Sequence, residues 1–274
     1  MFSTSAFTGH IEFSPSFSAR PQISHVVFDF DGTVAWLKHG WPDIMANLLL
    51  PYFPIRSDET LHNLRAEILS LNGRPPIFQI RRCLEMAAGS AEKLPEPEQL
   101  LSEYASRLGE ALKERLAKIY RHEVSPEAFL VHGAMRLLKE LSDRDLTLII
   151  LSGTEQEKVQ EEAEMLGLTP YFGRHIYGST TDLVASSKQA VINRLLAEEN
   201  IAGERLLSFG DGPVEIQVTK EVGGLAVGVA SDENVNGSGK MDTQKQKLLK
   251  DAGADLLVPD YRDGRALVEC IFGK

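Results

Sequence analysis

A short apolar segment of this chain ends abruptly at two carboxylates, Asp29 and Asp31, which are followed by Gly32 and Thr33. Residues 25–28 read His-Val-Val-Phe, a composition typical of a buried β-strand. Residues two apart in an extended backbone point to the same side, so both carboxylates face one place. Acids at the end of a buried strand need a cationic partner, and a divalent metal with a phosphorylated substrate would explain them. The alternative is a strand that ends in an ordinary Asp-Gly turn.

The composition limits the class of protein before any further motif is considered. A length of 274 residues suits one large domain or two smaller ones, and 43% apolar residues are ordinary for a globular protein. The formal net charge of -10 argues against binding to nucleic acid. Cys83 and Cys270 have no disulfide or metal spacing, and no apolar run reaches the length of a membrane span. Since a secretory signal is not recognisable either, we expect a cytoplasmic protein with no membrane partner.

The periodicity of apolar residues divides the chain into three parts. Residues 1–23 carry little charge and are either a tail or an extra strand near Ile11. Residues 35–130 show helical spacing throughout, with breaks at proline, glycine and asparagine. Residues 24–34 and 131–274 instead alternate apolar runs with helices, which predicts an α/β fold with a parallel sheet. The helical part is therefore an insertion after the first strand of this α/β core.

The same patterns give approximate bounds for the elements. Strands are expected at 26–30, 146–151, 206–209, 225–229 and 255–258. Helices are expected at 42–50, 58–72, 76–88, 134–141, 188–200 and 243–252, with a long amphipathic helix around 101–119. Residues 231–241 are polar and are expected to form a surface loop.

Three further motifs lie where strands end or helices begin. Ser152 and Gly153 directly follow an apolar strand, and their hydroxyl and amide groups could donate to a phosphate. Lys188 begins a helix, and residues 209–215 repeat the pattern of a strand end, an acid (Asp211) and a tight turn. Each motif has an ordinary alternative, namely a helix N-cap, a solvated lysine and an Asp-Gly turn. Because ligands bind beyond the carboxyl ends of parallel strands, we expect the motifs to meet at one site.

In this order, the motifs resemble those of the haloacid dehalogenase (HAD) superfamily, on its phosphatase side. The run Asp29–Val34 matches the first motif of that family, and Ser152, Lys188 and Gly210-Asp211 match the second, third and fourth. The resemblance extends from about Ser24 to the end of the chain. It implies a Rossmann-like core with a parallel sheet and an all-helical cap inserted after the first strand, as in phosphoglycolate phosphatases and β-phosphoglucomutases.

The resemblance also implies a role for each motif residue. Asp29 is the nucleophile, which forms an aspartyl-phosphate with the substrate. The Asp31 side chain is the general acid that protonates the leaving alcohol and later the base that activates water. Ser152 and Lys188 bind and stabilise the transferring phosphoryl group.

A Mg²⁺ cofactor is implied by the same resemblance, held by Asp29, Asp31, Asp211 and Glu215. Asp31 would contribute its backbone carbonyl. Many relatives carry Asp at the position of Glu215, and its longer side chain could reach the metal through water or hold Lys188 instead. The phosphate site would also include residues that let the backbone approach or donate to the ligand, namely Gly32, Thr33 and Gly153.

The cap is expected to act as a lid that reads the leaving group. Arg74 and Arg81 are the cap residues expected to contact an anionic or sugar substrate, with Gln79 and Arg82 as further candidates. Three residues, Lys38, His39 and Trp41, follow the first motif closely, where the resemblance implies substrate contacts.

The resulting hypothesis is a Mg²⁺-dependent phosphatase acting on a small phosphorylated metabolite. A phosphomutase of the β-phosphoglucomutase type shares all four motifs and stays open as an alternative, as does a non-catalytic regulator that retains the fold. Haloacid dehalogenases and phosphonatases fit less well, because they lack an acid at the position of Asp31. The oligomeric state and the identity of the substrate are not encoded in any of these motifs.

Overall fold

A mostly parallel sheet runs through the middle of the protein, whose computed structural model describes residues 7–88 and 94–273. The strands of this described part follow the order β1-β2-β8-β7-β6-β3-β4-β5. Strands β3 to β8 pair in parallel, whereas β1 and β2 pair antiparallel at one edge. The strands are β1 (Phe7–Thr8), β2 (Ile11–Phe13), β3 (His25–Asp29), β4 (Thr147–Glu155), β5 (Ile176–Ser179), β6 (Leu206–Gly210), β7 (Leu225–Val229) and β8 (Leu256–Val258).

Helices precede, follow or connect the strands. They are α1 (Trp41–Leu49), α2 (Asp58–Ser70), α3 (Pro76–Ala87), α4 (Pro97–Tyr120), α5 (Ala134–Ser142), α6 (Gln156–Met165), α7 (Thr169–Phe172), α8 (Lys188–Glu198), α9 (Pro213–Glu221), α10 (Thr243–Asp251) and α11 (Gly264–Phe272). All of the helices α1 to α4 lie between β3 and β4, as the periodicity predicts. The bounds of most predicted elements agree to within a few residues.

The N-terminal segment adds a strand to the sheet. Strand β2 pairs with β8, with Glu12 opposite Leu257. Glu12 is buried, and its carboxylate forms an ion pair with Lys250 at 2.8 Å and accepts a hydrogen bond from Gln246 at 2.9 Å. Of the two alternatives for this segment, a strand is therefore observed around Ile11, while residues 1–6 lie outside the described part.

The alternation of side chains along β3 decides which helices surround its carboxyl end. Val26, Phe28 and Phe30 pack into an apolar cluster with residues of α5, α6, α7 and α11. Val27 packs on the opposite face with residues of α8 and α9. Because Asp29 shares the face of Val27, its carboxylate emerges where α8 and α9 begin.

Helices α1 to α4 have an apolar cluster of their own, which includes Met45, Leu64, Ile80 and Leu100. The second half of α4 packs elsewhere, since its Leu112 and Ile119 join the main cluster of the sheet. Polar contacts also tie this helical part to the core. Arg65 of α2 forms an ion pair with Asp242, the N-cap of α10, at 3.0 Å. The boundaries 24–34, 35–130 and 131–274 stay predictions.

Several elements and one burial pattern differ from the sequence-based expectation. Strand β5 and helices α6, α7, α9 and α11 were not predicted. Strand β5 and helix α7 have only four residues each, and α6 and α9 lack a clear apolar stripe, whereas α11 has one in Leu267, Val268 and Ile271. Strand β4 continues past Leu151 to Glu155, with an irregular register between these residues. The polar loop 231–241 was expected at the surface, but Ser231 and Glu233 are buried. Their burial has an electrostatic cause in the site described below.

The aromatic stack on β3 gives a test of this core. Phe28 stacks on Phe209 with ring centroids 4.6 Å apart and meets Phe172 edge-on at 5.9 Å. We expect Phe28→Ala to lower the free energy of unfolding by about 3–5 kcal/mol, because it removes a fully buried ring. Val184→Ala, at a position 82% exposed, is the matched control and should change it by less than about 0.5 kcal/mol. Chemical denaturation measures both, and equal effects would contradict this description of the core.

Candidate active site

The register of the sheet brings three of the predicted motifs to one edge. Asp29 pairs with Leu151 of β4, and Phe28 pairs with Phe209 of β6. The motif residues that follow these partners, Ser152 and Asp211, therefore lie on either side of the chain as it leaves β3. Parallel strands end on the same side of a sheet, which explains how motifs far apart in sequence meet.

The turn after β3 depends on a glycine. Gly32 has a φ angle of +79°, which residues with a side chain rarely adopt. A Cβ at this position would lie 2.1 Å from Oδ2 of Asp211. The turn is closed by hydrogen bonds from Ala35 N to Phe30 O at 2.8 Å and from Gly32 N to Ala35 O at 2.8 Å. Gly32 thus allows the first and fourth motifs to approach each other closely.

Lys188 lies between two carboxylates at the centre of the site. Its Nζ atom contacts Oδ1 of Asp29 and Oε1 of Glu215, and all three side chains are buried. A positive charge in the first turn of α8 interacts unfavourably with the helix dipole. The two acids that contact Lys188 offset this cost. Glu215 therefore holds Lys188, one of the two possibilities left open by the sequence.

Burial dominates the electrostatics of this group. Desolvation raises the pKa of Asp29 to about 7, although the charge of Lys188 opposes the shift. The two carboxylates raise the pKa of Lys188 above its usual range despite its burial. Lys188 is therefore a fixed cation beside a carboxylate whose charge is costly without further positive partners.

The remaining predicted phosphate contacts lie around Asp29 and Asp31. Ser152 is buried, and its hydroxyl oxygen accepts a hydrogen bond from the Thr154 amide at 3.0 Å. That leaves the Ser152 hydroxyl proton available for a ligand. Thr33 is fully buried, and its hydroxyl lacks a hydrogen-bond partner within residues 7–88 and 94–273. Gly153 lies beside the backbone of Arg74, whose carbonyl would be 3.6 Å from a Cβ there.

Asp31 belongs to a second polar group that includes Lys38. Oδ2 of Asp31 accepts hydrogen bonds from Thr154 Oγ1 at 2.9 Å and from Lys38 Nζ at 3.2 Å. Lys38 also donates to Thr154 Oγ1 at 3.0 Å and forms an ion pair with Glu162 of α6 at 2.7 Å. Sequence analysis placed Lys38 near the first motif but found neither Thr154 nor Glu162, since no local pattern links them to Asp31.

Asp211 has a buried lysine partner that the sequence did not reveal. Nζ of Lys245 donates to Oδ2 of Asp211 at 2.7 Å, contacts Glu233, and donates to Ser231 Oγ at 3.1 Å. Ser231 in turn donates to the carbonyl of Gly32 at 2.8 Å. The prediction that loop 231–241 lies at the surface is wrong for Ser231 and Glu233, because Lys245 draws both into the interior. Desolvation also raises the pKa of Asp211 to about 7.

A loop between α2 and α3, residues 72–75, covers the site from the helical side. Asn72 was expected to end a helix, but it donates from Nδ2 to Oδ1 of Asp211 at 2.7 Å. Gly73 has a φ angle of +91°, and a Cβ there would lie 2.2 Å from Oε1 of Glu215. The Asn-Gly pair is a turn signal that could have revealed this loop.

The cap residues proposed as substrate contacts occupy different environments. Arg74 is exposed at the end of the 72–75 loop, with its backbone against Gly153. Arg81 is exposed on α3 and forms an ion pair with Glu98 at 2.9 Å. The other candidates already have partners within the protein. Arg82 pairs with Glu67, and Gln79 donates to backbone carbonyls. The His39 ring stacks on Trp36, and Trp41 packs in the apolar cluster of helices α1 to α4. Arg74 is thus the arginine of this set nearest to the motifs.

The chemistry of the donor set suits a hard divalent cation. In the described part of the chain, no three His, Cys, Asp or Glu side chains already converge as metal ligands. However, Asp29 and Asp211 are buried acids at the ends of neighbouring strands, and burial raises the pKa of each to about 7. Oε2 of Glu215 is also buried, and it has no hydrogen-bond partner in the described residues. Carboxylate oxygens of this kind fit Mg²⁺.

The family model of haloacid dehalogenase-like hydrolases matches residues 23–223. The chain belongs to this family of hydrolases. No curated protein matches it. The described helices include none that is both long and apolar enough to cross a membrane.

Solved structures of the same family share the fold. One is a conserved haloacid dehalogenase-like protein of unknown function from Agrobacterium tumefaciens, which is 18% identical in sequence to this chain. The alignment covers 90% of this chain and 97% of that chain, with a TM-score of 0.62. A predicted phosphoglycolate phosphatase from Haemophilus somnus shows 17% identity, 90% and 98% coverage and a TM-score of 0.57. A β-phosphoglucomutase from Clostridium difficile shows 15% identity, 91% and 97% coverage and a TM-score of 0.57. These likenesses confirm the predicted Rossmann-like core with a helical cap.

Removing the charge of Lys245 should destabilise the protein strongly. We expect Lys245→Met to lower the free energy of unfolding by about 3–5 kcal/mol, because Asp211 and Glu233 would stay buried without their cation. Chemical denaturation in EDTA measures this loss. The double variant Lys245→Met/Glu233→Gln should recover part of it, since one of the two buried acids is then neutral. Wild-type stability in the single variant would contradict the assigned ion pairs.

The raised pKa values of Asp29 and Asp211 predict how metal-free stability depends on pH. Both carboxyls keep their protons in the folded protein up to about pH 7, whereas the unfolded chain loses them near the ordinary value of 3.8. The folded state therefore binds more protons, and the free energy of unfolding should fall as pH rises from about 4 to about 7.

Mg²⁺ should reverse this loss, because it binds the ionised carboxylates. In thermal unfolding, Mg²⁺ should raise the midpoint over EDTA more at about pH 8 than at about pH 5. The control is Asp29→Asn/Asp211→Asn, which should flatten both the pH dependence and the Mg²⁺ effect. An equal Mg²⁺ effect at both pH values would contradict this assignment.

Proposed function

We propose that this hydrolase is a Mg²⁺-dependent phosphatase that releases phosphate from a small phosphorylated metabolite through an aspartyl-phosphate. The observation that carries the proposal is the buried contact of Lys188 with Asp29 and Glu215. It holds a carboxylate against a fixed cation at the end of a strand, where a phosphoryl group needs both a nucleophile and positive charge.

In the first step, a carboxylate oxygen of Asp29 attacks the phosphorus atom of the ester. Lys188 contacts Oδ1, so Oδ2 is the oxygen left to attack. The bond between phosphorus and the ester oxygen breaks as the new bond to Asp29 forms. Asp31 gives its proton to the departing oxygen, which leaves as an alcohol. Lys188 and the Ser152 hydroxyl balance the charge on the phosphoryl oxygens.

In the second step, water releases the phosphate from Asp29. Asp31 now lacks its proton and takes one from the attacking water. The oxygen of that water bonds to phosphorus, and the bond between phosphorus and Asp29 breaks. The carboxylate of Asp29 is restored and inorganic phosphate leaves, with Asp31 protonated again for the next substrate.

Mg²⁺, when bound by Asp29, the Asp31 carbonyl and Asp211, supplies positive charge that lets the phosphate approach a carboxylate. Glu215 contributes by holding Lys188. Arg74, from the loop over the site, is proposed to contact the part of the substrate that leaves. A location in the cytoplasm also stays a prediction.

The covering loop favours a small substrate. The Asn72 side chain donates a hydrogen bond to Asp211, and the backbone of Gly73 lies close to Glu215, so this loop covers the carboxylates from the helical side. An ester of a compact alcohol can be enclosed by this loop with few rearrangements, whereas a phosphoprotein or nucleic acid cannot. Enclosure would also exclude bulk water during the first step.

The direct test is phosphate release from a panel of phosphorylated metabolites, with Mg²⁺ and with EDTA. We expect release that requires Mg²⁺ and that falls at least about 10³-fold in Asp29→Asn, because the nucleophile is lost. Arg107→Ala is the matched control in the helical part, and it should change the rate less than about threefold because Arg107 is exposed on α4 and already paired with Glu103.

Three outcomes would overturn this function. Interconversion of sugar-phosphate isomers without phosphate release would identify a phosphomutase, which protects its aspartyl-phosphate from water. Full activity of Asp29→Asn or in EDTA would exclude the proposed nucleophile or metal. Absence of both activities across the panel would favour a non-catalytic role for the fold.

A further inference from the structure

We propose that Lys38, together with Thr154 and Glu162, positions Asp31 for proton transfer to the leaving group. This inference rests on the proposed phosphatase function and deepens it. It assigns a role to three residues outside the four motifs, none of which bonds the nucleophile. They are positioning residues, since they act on the substrate through Asp31.

The geometry of Asp31 distinguishes its two carboxylate oxygens. Oδ2 accepts hydrogen bonds from Thr154 at 2.9 Å and from Lys38 at 3.2 Å. Oδ1 is buried, and within the described residues it has no hydrogen-bond partner. A carboxyl group held through one oxygen presents the other in a fixed direction. We therefore assign Oδ1 as the oxygen that carries the transferred proton.

Lys38 is itself held in place from two sides. Its Nζ atom forms an ion pair with Glu162 at 2.7 Å and donates to Thr154 Oγ1 at 3.0 Å. The Lys38 side chain is only 10% exposed, so its charge requires these partners. Thr154 accepts from Lys38 and donates to Asp31, which closes a ring of three polar groups around Oδ2.

The group joins three parts of the chain, one of which is distant in sequence from the other two. Lys38 lies in the connection from the core to the helical part, Thr154 lies in the irregular end of β4, and Glu162 lies in α6. Arg115 of α4 donates to the carbonyls of Leu37 and His39 at 2.6 and 3.2 Å, which fixes the backbone on both sides of Lys38. The position of the helical part is thereby transmitted to Asp31.

The chemistry of the leaving group provides a test. A weakly basic leaving group departs without protonation, whereas a more basic one needs the general acid. Loss of positioning should therefore slow phenyl phosphate more than para-nitrophenyl phosphate, two esters of similar shape. Because kcat/KM includes only the steps up to formation of the aspartyl-phosphate, the second step does not obscure the comparison.

The variants are Lys38→Met and Thr154→Val, assayed as the ratio of kcat/KM for the two esters. We expect this ratio to shift about tenfold or more toward para-nitrophenyl phosphate in both variants. The ratio does not depend on the fraction of correctly folded protein, so partial misfolding cannot imitate the result. Lys158→Met is the matched control, because Lys158 is an exposed lysine of α6 that pairs with Glu155 at 2.8 Å and does not touch Asp31.

Each outcome separates this inference from the function on which it rests. An unchanged ratio in Lys38→Met and Thr154→Val, with an active wild type, would overturn the positioning role alone. An equal shift in Lys158→Met would also overturn it, since the effect would then follow net charge. If the wild-type protein cleaves neither ester nor any metabolite of the panel, the phosphatase function itself fails, and this inference fails with it.

Discussion

Burial of carboxylates at the end of the parallel sheet is the constraint on which the rest of this site depends. A buried carboxylate is strongly unfavourable unless a cation accompanies it, and the fold supplies one lysine for each of the three aspartates. Lys188 contacts Asp29, Lys38 contacts Asp31, and Lys245 contacts Asp211. The lysines come from α8, from the connection before α1, and from α10, so distant segments must fold together to satisfy the acids.

This constraint also explains why the helical part and the core are coupled. The loop 72–75 reaches Asp211 through Asn72, and the connection to the helical part reaches Asp31 through Lys38. Both contacts are made to carboxylates that follow strands of the sheet, Asp31 after β3 and Asp211 after β6. A movement of the helical part therefore changes the polar surroundings of the site as well as its access to water.

Whether the sequence predicted a site residue depends on whether that residue lies in a recognisable local pattern. Asp29 and Lys188 stand at fixed places in strand and helix patterns, so the sequence predicted that they lie at the same end of the sheet, where they are in contact. Lys245 lies in a helix that reads Lys-Gln-Lys-Leu-Leu-Lys, which is typical of a solvent-facing surface, and nothing local shows that this lysine points inward. Thr154 and Glu162 gain their roles only through tertiary contacts with Lys38. The fold class was predictable because apolar periodicity is local, whereas ion pairs across the sheet are not.

The balance of charge around the site supports a divalent cation in the proposed reaction. Three ammonium groups face six carboxylates, which leaves an excess of negative charge in a buried region. Burial raises the pKa of Asp29 and of Asp211, each to about 7, and the neighbouring acids add to the shift. A phosphate ester carries further negative charge and would be repelled by such a site. Mg²⁺ beside Asp29 and Asp211 would offset the excess where the phosphoryl group must approach, while each lysine stays with its own acid. The carboxylates are Asp29, Asp31, Glu162, Asp211, Glu215 and Glu233.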